Sequence, residues 1–164
     1  MTEKIYLEKT RIIIQNKKQI ESSLKVKLEA TGKVITIEGE SDKEMIALMA
    51  LEAIELGFSV ESALDLKTED FTFKKIQIKT ISKRHDLSQV RARIIGTKRR
   101  ALDQLEALTG CDIVLHDNTL GIIGPVEDVE RASYALKKLI SGSKHANVYA
   151  LLEEQNAKER AGIW

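Results

Sequence analysis

The chain carries two copies of one sequence pattern, and this internal repeat limits its possible folds more than any other feature. Segment 11–28 can be placed over 92–109, and segment 35–54 over 120–139, so that similar residues coincide. The matched positions include Ile14 with Ile95, Lys17 with Lys98, Lys18 with Arg99, Gly39 with Gly124, and Leu51 with Leu136. Because 164 residues can hold two small domains, the repeat predicts two tandem copies of one fold.

Both copies predict the order strand, helix, helix, strand, strand, helix. Segments 4–7 and 73–81 each open a copy as a strand, and FKKIQI alternates apolar and polar side chains as a half-buried strand does. Two short helical segments follow in each copy. The next two predicted strands are 25–29 with 33–39 in the first copy, and 111–117 with 119–124 in the second. A tight turn at Asp117 and Asn118 is expected to join the second pair.

A longer helix is predicted to close each copy. In the first copy Ser41 is the predicted N-cap, and Glu44 stands three residues later, which is the spacing of a capping box. Gly57 predicts the end of that helix. In the second copy the helix is expected to follow Pro125 and to end near Ser141, because apolar residues recur between them at helical spacing.

The net charge of +1 hides a concentration of cations in one part of the chain. Residues 74–100 contain ten Lys and Arg against the single Asp86, whereas residues 1–73 and 101–164 each have a balance of −4. The cations lie around Gly96, where two helical segments meet. Because a helix start with exposed N–H groups and nearby cations suits phosphate, this segment predicts an anion-binding face.

The order of elements, with a glycine-bearing basic loop between the first two helices, resembles the type I KH domain. The second copy carries the likeness most clearly: RIIG ends its first helix, TKRRALDQLEALTG forms the loop and second helix, and CDIVLHDNTLGIIG forms the paired strands. A later H-x-x-V-Y pattern, formed by His145, Val148 and Tyr149, resembles the corresponding segment of the archaeal and eukaryotic two-KH proteins of the partner-of-Nob type. Those proteins assist maturation of the small ribosomal subunit. The resemblance covers nearly the whole chain and is strongest over 73–155.

The resemblance implies an α/β (α+β) fold of two tandem type I KH domains, each a three-stranded antiparallel sheet packed against three helices. The expected domains are a degenerate KH domain over 1–72 and a KH domain over 73–164, with a C-terminal helix from Asn147. For that family it also implies binding of single-stranded RNA near the 3′ end of small-subunit rRNA. A PIN-domain endonuclease and a translation initiation factor subunit are the implied protein partners.

The loop of the second copy departs from the KH pattern, in which two glycines frame the loop. Gly96 stands at the first position, but Arg99 occupies the last. Either Arg99 blocks close approach of RNA, or its guanidinium replaces a backbone contact with a bond to phosphate. The candidate RNA-binding residues are Gly96, Thr97, Lys98, Arg99, Arg100, Arg93, Arg91, Ile95, Arg84 and Lys83. Ile94, Ile95, Ile113 and Leu115 either line the groove floor or belong to the core.

The first copy reads Q-N-K-K at residues 15–18 and lacks both loop glycines, so a structural or protein-contacting role is favoured. Lys17 and Lys18 keep a weaker RNA-binding hypothesis open. In the last helix, His145 and Tyr149 are candidates for contact with a protein partner, or they pack that helix against the second domain.

The sequence offers little support for an enzyme or for a bound cofactor. His85, His116, His145 and Cys111 are not spaced as zinc ligands, and no G-x-x-x-x-G-K-[ST] loop is present. We expect a cytoplasmic protein, because there is one cysteine, no signal-peptide pattern and no apolar run long enough to span a bilayer. Two alternatives to RNA binding stay open: a protein–protein scaffold with incidental nucleic-acid affinity, and a DNA-binding KH protein.

Overall fold

The computed structural model describes residues 2–162, and the chain divides into two units at the boundary between Phe73 and Lys74. Each unit has a three-stranded sheet in which the strand that comes last in the chain lies in the middle. The unit up to Phe73 is called the first unit here, and the unit from Lys74 is called the second unit. The second unit's sheet also includes the residues just before the boundary, because its first strand begins at Phe71.

The first unit, over its described residues, consists of four helices and a sheet with the strand order β1-β3-β2. Its elements are β1 (Thr2–Tyr6), α1 (Thr10–Gln15), α2 (Lys17–Leu24), β2 (Lys27–Thr31), β3 (Val34–Glu38), α3 (Ser41–Leu56) and α4 (Val60–Leu64), followed by a 3-10 turn, Asp65–Lys67. The central strand pairs antiparallel with both neighbours, and its Ile35 and Ile37 are buried. Alternate residues of a strand point to opposite faces, so these two side chains lie on one face of the sheet.

The second unit repeats this arrangement with the sheet order β4-β6-β5. Its elements are β4 (Phe71–Gln77), α5 (Ile78–Ile81), α6 (Ser88–Ile95), a 3-10 turn (Thr97–Arg99), α7 (Arg100–Thr109), β5 (Asp112–His116), β6 (Thr119–Pro125), α8 (Val126–Ile140) and α9 (His145–Arg160). The hairpin of β5 and β6 is antiparallel and turns at residues 117–118, as the sequence predicts. Besides the three helices of the KH pattern, α6, α7 and α8, this unit has the single helical turn α5 and the long helix α9.

The core of the second unit is aliphatic and is built from every layer. Its members include Val90 and Ile94 of α6, Leu102 and Leu105 of α7, Ile113, Leu120 and Ile122 of the hairpin, and Leu136 and Leu139 of α8. Burying such a side chain contributes roughly 1.5–3 kcal/mol relative to leaving it exposed. The packing of α6, α7 and α8 on the sheet fixes the junction between α6 and α7, where the predicted basic site lies.

The last helix, α9, belongs to this core. Val148 and Leu152 are buried in it, and burial raises the pKa of the Tyr149 hydroxyl. Arg131 of α8 bonds to Asp128 (3.2 Å), Gln155 (3.3 Å) and Asn156, and the Asn156 side chain donates to the Leu108 carbonyl at 3.0 Å. These bonds tie the later turns of α9 to α7 and α8.

Two local predictions were wrong, each for a local reason. The strand predicted over 73–81 ends at Gln77, because Ile78–Ile81 forms a helical turn in which Thr80 Oγ1 donates to the Gln77 carbonyl at 2.8 Å. Ser41 is the first helical residue of α3, and the N-cap is Glu40. Glu44 still reaches back, because its buried Oε1 accepts the Gly39 N–H at 3.1 Å.

The predicted helix ends were confirmed: α3 stops at Gly57, whose φ is 127°, and α8 gives way at Ser141. The C-terminal helix begins at His145, slightly earlier than Asn147. Among residues 2–162, no helix has the length and apolar content that a bilayer span requires.

Candidate nucleic-acid interface

The junction between α6 and α7 depends on Gly96. Its φ of 75° and ψ of 171° fall in a region of backbone conformation that only glycine adopts readily. A Cβ at this position would lie 2.8 Å from both the Cβ and the backbone nitrogen of Ala101. The missing side chain therefore allows the chain to turn sharply and to pass directly against the first turn of α7.

Residues 96–100, called the basic loop here, present their cations in two different ways. Lys98 (φ 54°) and Arg99 (φ 65°) both adopt left-handed conformations, and Arg99 is the N-cap of α7. The side chains of Lys98 and Arg100 are exposed and form no ion pair or hydrogen bond with any residue that the structure describes. They are available to an anion at the positive end of the α7 dipole.

The Arg99 side chain runs along α7, from the N-cap towards the later turns. Its guanidinium pairs with Asp103, lies 3.1 Å from Glu106 Oε1, and donates to the Ile113 carbonyl of β5 at 3.4 Å. Two carboxylates thus surround a cation that the sequence grouped with Lys98 and Arg100.

Beside the basic loop lies a pocket of about 560 Å³ between α6 and the β5–β6 turn, called the groove here. Its lining residues are Arg91, Ile95, Leu115, Asp117 and Asn118. Arg91 Nη1 donates to Asn118 Oδ1 at 2.5 Å, and the Asn118 carbonyl accepts the Ile78 N–H at 2.9 Å, which anchors the turn. The groove therefore has an aliphatic floor and a polar rim.

The two other candidate floor residues belong to the core. Ile94 is 0% exposed and Ile113 is 1% exposed, so neither can touch a ligand. Leu115 and Ile95 are half-buried and line the groove. Ile113 and Leu115 are two residues apart and share one face of β5, with Leu115 nearer the exposed β5–β6 turn. Ile94 and Ile95, in contrast, are consecutive in α6 and point in different directions.

The remaining candidate cations lie on the other side of α6. Arg93 is two residues from Arg91 and two from Ile95, so it faces away from both. Its guanidinium donates to the carbonyls of Leu139 (2.9 Å) and Ser143 (2.5 Å). Arg93, Lys83 and Arg84 line a second pocket, of about 380 Å³, at the end of α8. The basic segment of the sequence is thus divided between two faces.

His145 and Tyr149 contact the second unit itself. His145 Nε2 lies 2.7 Å from the Arg93 carbonyl oxygen. The ring centroids of His145 and Tyr149 are 6.0 Å apart. Together with Arg93, His145 links the start of α9 to the end of α6.

The corresponding junction of the first unit is built differently. Asn16 alone separates α1 from α2, and its Nδ2 donates to the Ile12 carbonyl at 2.8 Å. None of residues 15–18 has a positive φ, so no left-handed turn is present there. Ile12 and Ile14 are 43% and 51% exposed, and because they are two residues apart they lie on different sides of α1, flanking the buried Ile13.

Two residues of the site were not predicted as such. Asn118 was assigned only to the turn, and Glu106 had no assigned role, although its i+7 spacing from Arg99 along α7 could have suggested a contact. Cys111 is not a candidate for a reactive thiol, because it is buried and burial raises the pKa of its thiol to about 11. The described residues contain no group of three or more potential metal ligands.

Comparison with known proteins agrees with this architecture. A family model described as a eukaryotic type KH domain (KH domain type I) matches residues 72–157. A KH domain-containing protein of Methanocaldococcus jannaschii is 32% identical over an alignment 149 positions long, which covers 87% of this chain and 66% of that protein. The pre-rRNA-processing protein PNO1 of Debaryomyces hansenii is 31% identical over 79% of this chain and 54% of its own length. The chain thus spans between about half and two thirds of these relatives.

A solved structure extends the likeness to both units. A chain in the crystal structure of the a/eIF2alpha–aDim2p–rRNA complex from Pyrococcus horikoshii OT3 superimposes with a TM-score of 0.86 at 30% identity, covering 96% of this chain and 95% of that one. The sheet order, the glycine-bearing junction of α6 and α7, and these matches lead to one assignment. The chain belongs to the PNO1 family of proteins with a type I KH domain.

Proposed function

We propose that this chain is a non-catalytic protein that binds single-stranded RNA and acts in ribosome biogenesis at the 3′ end of small-subunit rRNA. The binding site is in the second unit, a KH domain over 73–164. One observation carries the proposal: Lys98 and Arg100, which are exposed and have no partner among residues 2–162, follow a glycine turn beside an aliphatic groove.

The geometry suits the way in which KH domains hold about four nucleotides. The sugar-phosphate backbone passes the basic loop, where Gly96 and Thr97 leave the main chain accessible and Lys98 and Arg100 bond to phosphates. These contacts fix position without reading sequence. Bases lie on Ile95 and Leu115, and the Arg91–Asn118 pair at the rim is placed to donate to a base edge.

The first unit is proposed to be a degenerate KH domain over 1–72. Its sheet order matches that of the second unit, and the repeat aligns the two copies element by element. The glycine turn is absent, so this unit is not expected to clamp RNA. Its role is structural, or it is contact with a protein.

The protein partners are proposed from the relatives. The Pyrococcus complex contains a/eIF2alpha with aDim2p and rRNA, so contact with a translation initiation factor subunit is the first expectation. A PIN-domain endonuclease that trims the rRNA end is the second. The proposed location is the cytoplasm, where translation initiation takes place.

A second candidate function is a protein–protein scaffold. The observation that favours it is the exposure of two large apolar side chains of α1, Ile12 and Ile14, in a unit with a negative charge balance. In that case RNA affinity would be weak and indifferent to sequence.

The two functions are separated by fluorescence anisotropy of the chain with three labelled strands: the 3′-terminal rRNA sequence, a scrambled RNA, and the same sequence as DNA. We expect the rRNA strand to bind most tightly. The logarithm of its affinity should fall linearly with the logarithm of salt concentration, with a slope of about −0.7 for each phosphate contact. Equal, weak affinities that ignore salt would favour the scaffold, and preference for the DNA strand would favour a DNA-binding KH protein.

A further inference from the structure

We propose that Arg99 is a positioning residue, which ties the basic loop to α7 and to the free edge of β5 and does not itself contact phosphate. The proposal rests on the RNA-binding function proposed above. It assigns to Arg99 the structural role that the second glycine has in other KH loops.

The positive charge of Arg99 is more than balanced by two neighbouring carboxylates. Asp103 and Glu106 both approach its guanidinium, so the three side chains together carry one net negative charge. Both carboxylates contact Arg99 Nη1, so a phosphate approaching this guanidinium would be repelled by Asp103 and Glu106 and would compete with them for it. Lys98 and Arg100 have no such partners in the part of the chain that the structure describes, and they are the better phosphate ligands.

The same guanidinium completes the edge of the sheet. In the order β4-β6-β5, strand β5 lies at an edge, and the Ile113 N–H and C=O are directed away from β6. The N–H donates to Glu106 Oε2 at 3.0 Å, and the C=O accepts from Arg99 Nη2 at 3.4 Å. The Arg99–Glu106 pair thus takes the place of a neighbouring strand at this residue.

The first unit provides an internal comparison. Glu21 and Glu106 each lie four residues before the C-cap of their helix, and each accepts the N–H of the residue seven positions later: Glu21 Oε2 accepts the Leu28 N–H at 2.8 Å. The carboxylate part of the arrangement is therefore common to both units. The residue aligned with Arg99 is Lys18, whose junction has no left-handed turn. The guanidinium bridge occurs in the unit that has the basic loop.

The loop needs such support because it has only one glycine. Left-handed conformations at Lys98 and Arg99 are unfavourable for residues with a Cβ, and they persist only where surrounding contacts hold them. Three contacts from one planar guanidinium, on a helix and a strand, can provide that hold. A lysine cannot, because its ammonium is a single point on a flexible stem.

Variants that keep or remove the charge distinguish positioning from phosphate binding. We would measure affinity for the rRNA strand across a salt series for Arg99→Lys, Arg99→Gln and Lys98→Gln. We expect both Arg99 variants to bind the rRNA strand about tenfold more weakly, the size of effect expected when one charge-assisted bond within the protein is lost. The salt dependence should keep the wild-type slope, because no phosphate contact is removed. Lys98→Gln should weaken binding and flatten the slope by about 0.7. Wild-type affinity in Arg99→Lys, with a flatter slope in Arg99→Gln, would overturn the proposal.

Hydrogen exchange of the free protein provides a readout that does not depend on RNA. In Arg99→Lys the amides of Lys98 to Ala101 should exchange faster than in the wild type, while those of the first unit stay unchanged. If exchange in the loop is unaltered, the positioning role is wrong even when RNA binds. If the wild type binds no RNA but the loop amides respond, only the proposed function fails.

Discussion

Replacing Lys98 and Arg100 together by aspartate is expected to weaken binding of the 3′-terminal rRNA strand by about 100-fold or more, because two charge-assisted bonds become repulsions. The fold should survive. Aspartate tolerates the left-handed conformation of Lys98 better than most residues, and at Arg100 it occupies the first turn of α7, where a negative charge is favourable. The measurement is anisotropy, with circular dichroism to confirm the folded state.

The repeat supplies a matched control. Lys17 and Lys18, replaced together by aspartate, change the net charge by the same amount at the corresponding junction of the first unit. That variant should keep nearly the wild-type affinity, since the junction lacks the glycine turn. Equal losses in the two variants would mean that the overall charge, and not the basic loop, determines binding.

Replacing Gly96 by alanine is expected to destabilise the second unit by about 2–4 kcal/mol and to abolish most RNA binding. Two costs add: a backbone conformation that only glycine readily adopts, and a Cβ placed 2.8 Å from Ala101. Relief of either requires α7 to move away from α6, which displaces Lys98 and Arg100 from the groove.

Gly110→Ala separates the two costs. Gly110 also has a positive φ, 71°, but a Cβ there would meet nothing within 4 Å. Its expected cost is therefore about 1–2 kcal/mol, from the left-handed conformation alone. Urea unfolding followed by hydrogen exchange, resolved to segments of the second unit, measures both variants. Equal stability of the two would show that the close approach to Ala101 is unimportant.

The sequence predicts the layers of this fold well because they depend on local periodicity. The alternation in FKKIQI marks β4, the repeat marks the sheet twice, and the composition at Gly96 marks the turn. The N-cap of α3 was misplaced by one residue because Glu40 and Ser41 both suit a helix start, and the sequence does not show which of them keeps an extended ψ.

The site was predicted less completely, since it depends on tertiary contacts. The sequence places Arg91 and Arg93 in one cationic run, and the helical period separates them onto opposite sides of α6. Ion pairing of Arg99 with Asp103 follows from the i+4 spacing, but its bond to Ile113 requires β5 to lie beside α7. Asn118 meets Arg91 only because the β5–β6 turn folds back to the start of α5.

RNA is proposed to lie across the basic loop and the groove of the second unit. Amide chemical shifts of the isotopically labelled chain, recorded during titration with the 3′-terminal rRNA strand, test this placement most directly. We expect saturable shifts at residues 95–101 and 115–118, with little change in the first unit. Shifts centred on α1 and α2 of the first unit, or none in the second unit at saturating RNA, would contradict it.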